Sequence, residues 1–400
     1  MPEDRPRLTT ADLLRTSGVG ALVWVSLTGF AGFALLLSSL PLWVSTGGAS
    51  NAVAGAATTT ATLAATVATQ FGVPALVARW GIGPSLAGGL VLLGAPAPLY
   101  ALTADPLAIS GISVIRGVGF GLLTVIGSLL VARLAPPGAY GRTAGLYGAA
   151  IAVPNLFAVP GAVYLAQNVS FTLVFWLAAL PLAGVPVALR YGAMGQRSVA
   201  GERAWHPDAA RACLAPTTVL VVVTLAGGGL LTFVPIALAD SAALAAAALF
   251  TVGAAAAVSR WWIGSVADQH GPAGLLLPMV LVTAAGSVVA AAGLAGGTHA
   301  TPGRAVLVIA GALLAGTGYG AVQNLTLLVA FGLAGPQGSP TASTVWNAGF
   351  DTGTALGAFA VGAVAAVGPG LAGATALTAL PVLAVLPVVL ALRANPRARP

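Results

Sequence analysis

Apolar runs long enough to cross a lipid bilayer dominate this chain. A hydrocarbon core about 30 Å thick needs roughly 20 helical residues at about 1.5 Å of rise each, and twelve runs near that length can be placed. Only 6% of the 400 residues are charged and the mean hydropathy is +0.96, whereas soluble chains are about a quarter charged. Lipid permits only helices or closed barrels, and these runs are too long for barrel strands. The sequence therefore predicts an all-α membrane protein.

The predicted helices fall into two groups of six, separated by a polar stretch. The predicted spans are 18–44, 51–77, 84–103, 107–133, 143–166, 170–190, 216–239, 242–263, 273–296, 304–333, 340–367 and 370–392. The predicted parts are a cytoplasmic N-terminal segment 1–17, a six-helix bundle 18–190, a cytoplasmic linker 191–215, a second bundle 216–392 and a cytoplasmic tail 393–400.

An internal duplication would explain the two groups. A shift of 190 residues, which we call the repeat offset, superposes Ala78 on Asp268 and Gly81 on Gly271. Two repeats related in this way are typical of alternating-access transporters, whose substrate site lies between the halves near the membrane midplane. We therefore expect two pseudo-symmetric bundles of six transmembrane helices.

The arginines predict the orientation of the chain. With the N-terminus in the cytoplasm, fourteen of the sixteen arginines fall in cytoplasmic segments, Arg260 among them. Arg304 lies on the other side, and Arg116 lies within span four. Because cytoplasmic loops are enriched in arginine, we expect a multi-pass protein of the inner membrane with both termini in the cytoplasm.

Several classes of function are disfavoured by what the sequence lacks. Cys213 is the only cysteine, and no cysteine or histidine cluster has metal-ligand spacing, so neither a cofactor nor a metal ion is expected. The net charge is +7, but no stretch is both basic and long, so nucleic acid is not an expected partner. The chain has no lysine and hence no ATP-binding loop of the Walker type. No set of hydrolytic residues converges within the spans, so an enzyme is not expected.

The loop after span eight carries a recognisable motif. Residues Gly264 to Gly271 read Gly-Ser-Val-Ala-Asp-Gln-His-Gly, with Asp268 as the acidic residue. This resembles the Gly-x-x-x-Asp-x-x-Gly signature of the major facilitator superfamily, which lies in the cytoplasmic loops between helices two and three and between helices eight and nine. Span four adds Arg116 followed by Gly117, similar to the arginine and glycines of the family's fourth helix.

The first copy of the motif is degenerate. It retains Arg79 and Gly81, whereas Ala78 stands in place of the acidic residue and Pro74 in place of the first glycine. The resemblance nevertheless implies that both copies act in gating.

Two further segments resemble efflux members of the same family. Residues 319–324 and 346–357 are similar to bacterial exporters of drugs or metabolites, while the Gly145–Gly161 segment is only a loose match to the Gly-Pro motif of drug-proton antiporters. The resemblance implies a transporter that exports a small amphipathic molecule, and it leaves an uptake permease or a uniporter as an alternative. A non-transporting membrane scaffold of the same fold is the second alternative.

Asp351 is the leading candidate for proton coupling. It lies about eleven residues into predicted span eleven, or about 16 Å at helical rise. A charge at the bilayer centre costs roughly 2.5 to 3.5 kcal/mol on insertion scales, so such residues usually line substrate or ion pathways. Thr344, Asn347 and Thr354 share one helical stripe with it. The alternative is a protonated Asp351 that only bonds to a neighbouring helix.

Arg116 is the second candidate for proton coupling. Guanidinium stays charged in proteins, so it needs an acid, backbone carbonyls, water or an anionic group as its partner. The resemblance implies a role in coupling proton transfer to conformational change. Packing against the carbonyls of a neighbouring helix is the alternative, and the sequence does not tell whether Arg116 and Asp351 meet.

Neutral side chains in the spans are candidates for substrate binding, and loop residues are candidates for gating. The substrate-binding candidates are Asn347, Tyr319, Gln323, Asn324, Asn155 and Thr354. Asp268 can interact with the positive end of a helix dipole, and the duplication makes Arg142 or the amides near Thr143 its expected partners. The expected partners of the protein are a small-molecule substrate, protons and the lipid bilayer, and it is expected to act as a monomer.

Overall fold

The computed structural model describes residues 10–15, 18–136, 139–192, 206–295 and 301–395, and these residues form helices joined by short connections. Within these described residues, twelve helical segments are long and apolar enough to span a membrane. They are Val19–Thr46, Asn51–Trp80, Ile82–Leu102, Pro106–Val131, Arg142–Asn168, Phe171–Leu189, Pro207–Ala237, Ala242–Ala267, Pro272–Leu294, Pro302–Gly335, Gln337–Ala366 and Gly370–Ala394. We call them spans 1 to 12, and we call the side where span 1 begins and span 12 ends the chain-end side.

Several spans are not continuous α-helices. The shorter segments are the α-helices Thr10–Arg15, Val19–Leu37, Ser39–Thr46, Asn51–Gly55, Ala61–Trp80, Ile82–Gly94, Phe171–Leu177, Val185–Leu189, Gly370–Leu377, Ala379–Ala384 and Leu386–Ala394, with 3₁₀ turns at Ala97–Leu102 and Leu180–Gly184. Span 2 contains a π-helical turn at Ala56–Thr60. Between spans 10 and 11 the backbone turns at Gly335, which has φ 68° and ψ 177°.

Span 7 begins earlier than the sequence predicted. Its helix runs from Pro207 to Ala237, so it takes in residues that were predicted to belong to the linker 191–215. Proline is tolerated at the first helical position, and the acidic Asp208 lies in the first turn, where it interacts favourably with the helix dipole. Arg211 forms an ion pair with Asp208 at 3.5 Å. Residues 193–205 of the predicted linker lie outside the described residues.

Close glycine contacts show that the second bundle repeats the first. A Cβ on Gly117 of span 4 would lie 2.1 Å from the carbonyl oxygen of Thr62 in span 2. A Cβ on Gly316 of span 10 would lie 2.5 Å from the carbonyl oxygen of Val252 in span 8. The repeat offset that the sequence predicted superposes Thr62 on Val252, whereas Gly117 and Gly316 are 199 residues apart, so spans 4 and 10 correspond at a larger spacing than spans 2 and 8. The predicted pseudo-symmetric bundles are therefore confirmed.

The two bundles pack together on the side away from the chain ends. Hydrogen bonds across the interface include Ser38 Oγ to Leu231 O at 2.5 Å, Thr60 Oγ1 to Ala355 O at 2.9 Å and Gln167 Nε2 to Ala239 O at 3.0 Å. A Cβ on Gly55 of span 2 would lie 2.1 Å from the carbonyl oxygen of Ala358 in span 11. Spans 5, 7 and 8 share an apolar core in the same region. These contacts close the interface from that side to about mid-span.

Candidate functional site

A buried acid and a buried amide join the two bundles near mid-span. Asp351 of span 11 is 6% exposed and Gln70 of span 2 is 4% exposed. The Gln70 Nε2 atom donates a hydrogen bond to Asp351 Oδ2 at 2.7 Å. Among the described residues, no arginine forms an ion pair with Asp351. The carboxyl group therefore lies at the bundle interface with an amide as its hydrogen-bond partner.

One atom of this pair lacks a partner. The Gln70 Oε1 atom is buried and has no hydrogen bond within the described structure. A buried polar oxygen without a hydrogen bond costs about 1 to 3 kcal/mol. An amide oxygen only accepts hydrogen bonds, so the missing partner is a donor, such as a protonated carboxyl or a water molecule.

An aromatic wall lies beside Asp351 in the second bundle. The Tyr319 and Phe350 rings have centroids 6.2 Å apart, and the Phe350 and Trp346 rings stack at 5.9 Å. The Trp346 Nε1 atom donates to Thr326 Oγ1 at 3.1 Å, which fixes the indole. Tyr319 packs so tightly against span 7 that a Cβ on Gly227 would lie 2.4 Å from its ring. The residues form a rigid surface of rings from spans 10 and 11.

Arg260 belongs to this surface, although the sequence assigned it to the cytoplasm. It lies in span 8, seven residues before the span ends at Ala267, which corresponds to about 10 Å of helix. Its Nη1 atom donates to Gln323 Oε1 at 3.1 Å, and its Cζ atom lies 6.0 Å from the Trp346 ring centroid. The Asn324 Nδ2 atom donates to the backbone oxygen of Arg260 at 2.7 Å. The positive-inside count missed Arg260 because it weighs arginines by sequence position alone.

The structure brings some of the predicted binding residues together. Tyr319 interacts with the side chains of Gln323 and Thr354, and all three are close to Asp351 or Arg260. Asn155 lies in the other bundle and is half-buried.

Three of the predicted binding residues bond to their own helices. Amide nitrogens donate from Asn155 to Ile151 O at 2.8 Å and from Asn347 to Ser343 O at 2.8 Å, and the hydroxyl of Thr354 donates to Phe350 O at 2.9 Å. These bonds use the amide nitrogens of the two asparagines and do not use their amide oxygens, which are acceptors.

Arg116 is held by backbone carbonyls of the first bundle. Its Nη2 atom donates to Gly32 O at 2.9 Å, and its Nη1 atom donates to Leu93 O. Its Cζ atom lies 6.0 Å from the ring centroid of Tyr100, and a cavity of about 20 Å³ beside it has room for one water molecule. Arg116 and Asp351 form neither a hydrogen bond nor an ion pair with each other.

The two motif glycines that follow spans 2 and 8 have the same backbone conformation. Gly81 has φ 84° and Gly271 has φ 75°, values that only glycine adopts without strain. Each amide donates to the carbonyl oxygen four residues earlier, at 2.8 Å for Gly81 and 2.9 Å for Gly271. These glycines therefore end the two equivalent helices in the same way.

The remaining gating candidates lie near these glycines. Arg79 is exposed and lies against Trp80, with its Cζ atom 6.0 Å from the ring centroid. A Cβ on Gly264 would lie 3.2 Å from Asn324 Nδ2, so Gly264 allows spans 8 and 10 to approach. The side chain of Asp268 lies outside the described residues, and the predicted pairing with Arg142 remains a prediction.

Two six-helix bundles that meet at buried polar side chains define a polytopic membrane protein. The sequence profile of the Major Facilitator Superfamily matches residues 22–358. The chain therefore belongs to this superfamily, as its motifs predicted. No curated protein matches the sequence significantly.

Solved structures of transporters share the fold. A bacterial homologue of the human lysosomal transporter Spinster, in an inward-facing and unoccupied conformation, is 13% identical with a TM-score of 0.72, over 96% of this chain and 98% of that chain. The nucleoside transporter NupG is 15% identical with a TM-score of 0.73, over 95% of this chain and all of that chain. The family match indicates that the protein is a transporter and not an enzyme, and these neighbours have the same fold.

Proposed function

We propose that the protein is a proton-coupled secondary transporter that exports a small amphipathic molecule by alternating access. The observation that carries the proposal is the hydrogen bond of 2.7 Å between Gln70 and Asp351. It places an ionisable group on the surface along which the bundles must separate. Binding or release of a proton there acts directly on the contact between the halves.

The partners of Asp351 suit a group that takes up a proton. A protonated carboxyl has one donor, and an amide has both a donor and an acceptor. With the proton present, Asp351 can donate to the Gln70 oxygen that now lacks a partner while it still accepts from the amide nitrogen. Loss of the proton removes one of these two bonds and leaves a charge at the interface, where it favours separation of the bundles and access of water.

The orientation and direction of transport are part of the same proposal. Arginines cluster at the chain-end side, which supports a cytoplasmic location for both termini in the inner membrane. Export follows the resemblance of residues 319–324 and 346–357 to efflux proteins. One chain contains both bundles of the site, so a monomer suffices for transport.

The test is proton movement in proteoliposomes that contain a pH-sensitive dye. Candidate amphipathic compounds are added to liposomes with the unsubstituted protein, with Asp351→Asn or with Asp240→Asn. Asp240 is an exposed acid between spans 7 and 8, so its substitution is a matched control. We expect substrate-dependent proton movement that is lost only in Asp351→Asn.

Two other outcomes would contradict the proposal. Transport that continues without proton movement would identify a uniporter and leave Asp351 with a structural role. Absence of transport of every compound, with the protein correctly inserted, would favour a membrane scaffold.

A latch on the cytoplasmic side is the gating part of the proposal. Asp268 would interact with Arg142 or the first amides of span 5 in one of the two states, because both lie at the chain-end side. An exposed ion pair contributes roughly 0 to 1 kcal/mol, which is enough to bias a balanced equilibrium. Asp268→Asn should impair transport while the amount of protein in the membrane stays the same, and unchanged transport would rule out the latch.

A further inference from the structure

Arg260 is a membrane-embedded cation without an acidic partner in the described structure. Spans 1 to 6 contain no aspartate or glutamate, and spans 7 to 12 contain only Asp208 and Asp351. Asp208 forms its ion pair with Arg211, and Asp351 bonds to Gln70. A guanidinium inside a membrane needs a negative or strongly polar partner.

The guanidinium of Arg260 does not simply extend to the lipid headgroups. Its guanidinium bonds to Gln323, which is 4% exposed, and lies over Trp346, which is 6% exposed. The head group therefore lies against the interior of the second bundle. Arg260 itself is nevertheless exposed, and the bond to Gln323 uses one of its five N–H donors. Donors remain for a ligand.

The internal repeat shows which residue of the first bundle is equivalent to Arg260. The repeat offset superposes Gln70 on Arg260, so Arg260 is the counterpart of Gln70 in the second bundle. The neighbouring contacts agree with this assignment. A Cβ on Gly117 would lie 2.8 Å from the Cβ of Ala65, and a Cβ on Gly316 would lie 3.0 Å from the Cβ of Ala255, which the same offset superposes on Ala65.

The counterpart of Asp351 is not an acid. Thr60 of span 2 donates a hydrogen bond to Ala355 of span 11, where these two spans of different bundles meet. The repeat offset superposes Thr60 on Phe250 of span 8. The ring of Phe250 contacts the ring of Phe157 in span 5, where spans 5 and 8 meet. By these contacts Phe157 is the counterpart of Ala355, and Val153, four residues earlier, is the counterpart of Asp351. Both pairs are 198 residues apart, so spans 5 and 11 correspond at a slightly larger spacing than spans 2 and 8. Val153 is 48% exposed. One interface thus has an amide and a carboxyl, and the other has a guanidinium and an exposed valine.

We propose that Arg260 binds a carboxylate of the transported molecule, which takes the role that the Asp351 carboxyl has in the other half. The substrate is then an amphipathic carboxylate, whose apolar part lies against Val153 and the rings of Phe350 and Trp346. The proposal names the substrate class of the transporter proposed above and rests on that function. Arginine suits this role because its planar head forms two parallel hydrogen bonds to a carboxylate.

Equilibrium binding to the purified protein at one pH, without any gradient, tests the assignment. The probes are 4-phenylbutyrate, 4-phenylbutyramide and 4-phenylbutylamine, which share a skeleton and differ in the charge of the head group. Dissociation constants come from the increase in Tm with probe concentration, since a ligand that binds the native state stabilises it. The variants are Arg260→Gln, Arg260→Lys and, as a matched control, Arg211→Gln, which removes an equally charged side chain that pairs with Asp208 at the start of span 7.

We expect the unsubstituted protein to bind the acid more tightly than the amide and the amine. Arg260→Gln should weaken binding of the acid roughly 10- to 100-fold, since hydrogen bonds between charged groups are strong, and it should leave binding of the amide unchanged. Arg260→Lys should give an intermediate affinity because the charge remains and the paired geometry does not. Arg211→Gln should match the unsubstituted protein.

Equal binding of acid and amide by the unsubstituted protein, including no binding of either, would overturn the proposal. So would an unchanged affinity for the acid in both Arg260 variants. Retained amide binding shows that the variants are folded. Because the assay involves no proton movement, Asp351→Asn should keep the preference for the acid, so failure of proton coupling and failure of this assignment give different results.

Discussion

Replacing Gln70 with leucine removes the amide that reaches Asp351 across the bundle interface and keeps a side chain of similar size. The lost hydrogen bond is worth about 1 to 3 kcal/mol in a buried site. Since 1.4 kcal/mol corresponds to a tenfold change in an equilibrium, the population in which the bundles separate at this level should rise roughly 5- to 150-fold.

Thiol labelling measures this change. The only cysteine, Cys213, is buried and is first replaced by alanine. A cysteine then replaces Thr60, whose hydroxyl donates to Ala355 O at 2.9 Å across the same interface. In this background Gln70→Leu should accelerate the reaction of the new cysteine with a water-soluble maleimide, in line with the larger separated population.

The control substitution is Gln323→Leu, which removes an amide whose hydrogen bond to Arg260 stays within the second bundle. It should leave the labelling rate unchanged. Equal labelling rates in Gln70→Leu and in the background would refute the reasoning that this hydrogen bond holds the bundles together.

Two further predictions concern stability. Gly320→Ala should lower Tm, because the new Cβ would lie 2.1 Å from the carbonyl oxygen of Ala256 and overpacking costs about 1 to 3 kcal/mol. The control Gly274→Ala should leave Tm unchanged, because no atom lies within 4 Å of its Cβ position. Equal Tm values for the two variants would contradict the close packing of spans 8 and 10. Arg116→Gln should lower Tm, because the carbonyl groups of Gly32 in span 1 and Leu93 in span 3 lose their hydrogen-bond donor. Arg116→Lys should recover part of this loss. An unchanged Tm in Arg116→Gln would show that these hydrogen bonds do not contribute to stability.

The number of spans and their division into bundles could be predicted because both depend on hydrophobic length and charge. The start of span 7 could not, because Pro207, Asp208 and Arg211 form a helical turn that is polar and therefore resembles a loop. A hydropathy profile identifies the apolar part of a transmembrane helix, and it does not identify the polar turns that continue the helix outside the lipid.

The site was predictable only in part. Asp351 was identifiable as the acid in the middle of a span, but its partner Gln70 lies 281 residues away in sequence, so only tertiary structure shows the contact. Arg260 was counted with the cytoplasmic arginines although it lies inside the predicted span 242–263, because such a count does not register how deep an arginine near a span end lies. The repeat offset was a usable signal for both, since it superposes Gln70 on Arg260.

The π-helical turn at Ala56–Thr60 determines where the rest of span 2 points. Such a turn accommodates one more residue than an α-helical turn, so removing that residue would rotate everything that follows by about 100°. Thr66, which donates to Gly117 O at 3.0 Å, and Gln70 would both then face other neighbours. The contact of Thr66 with span 4 and that of Gln70 with span 11 therefore both depend on the extra residue in this one turn.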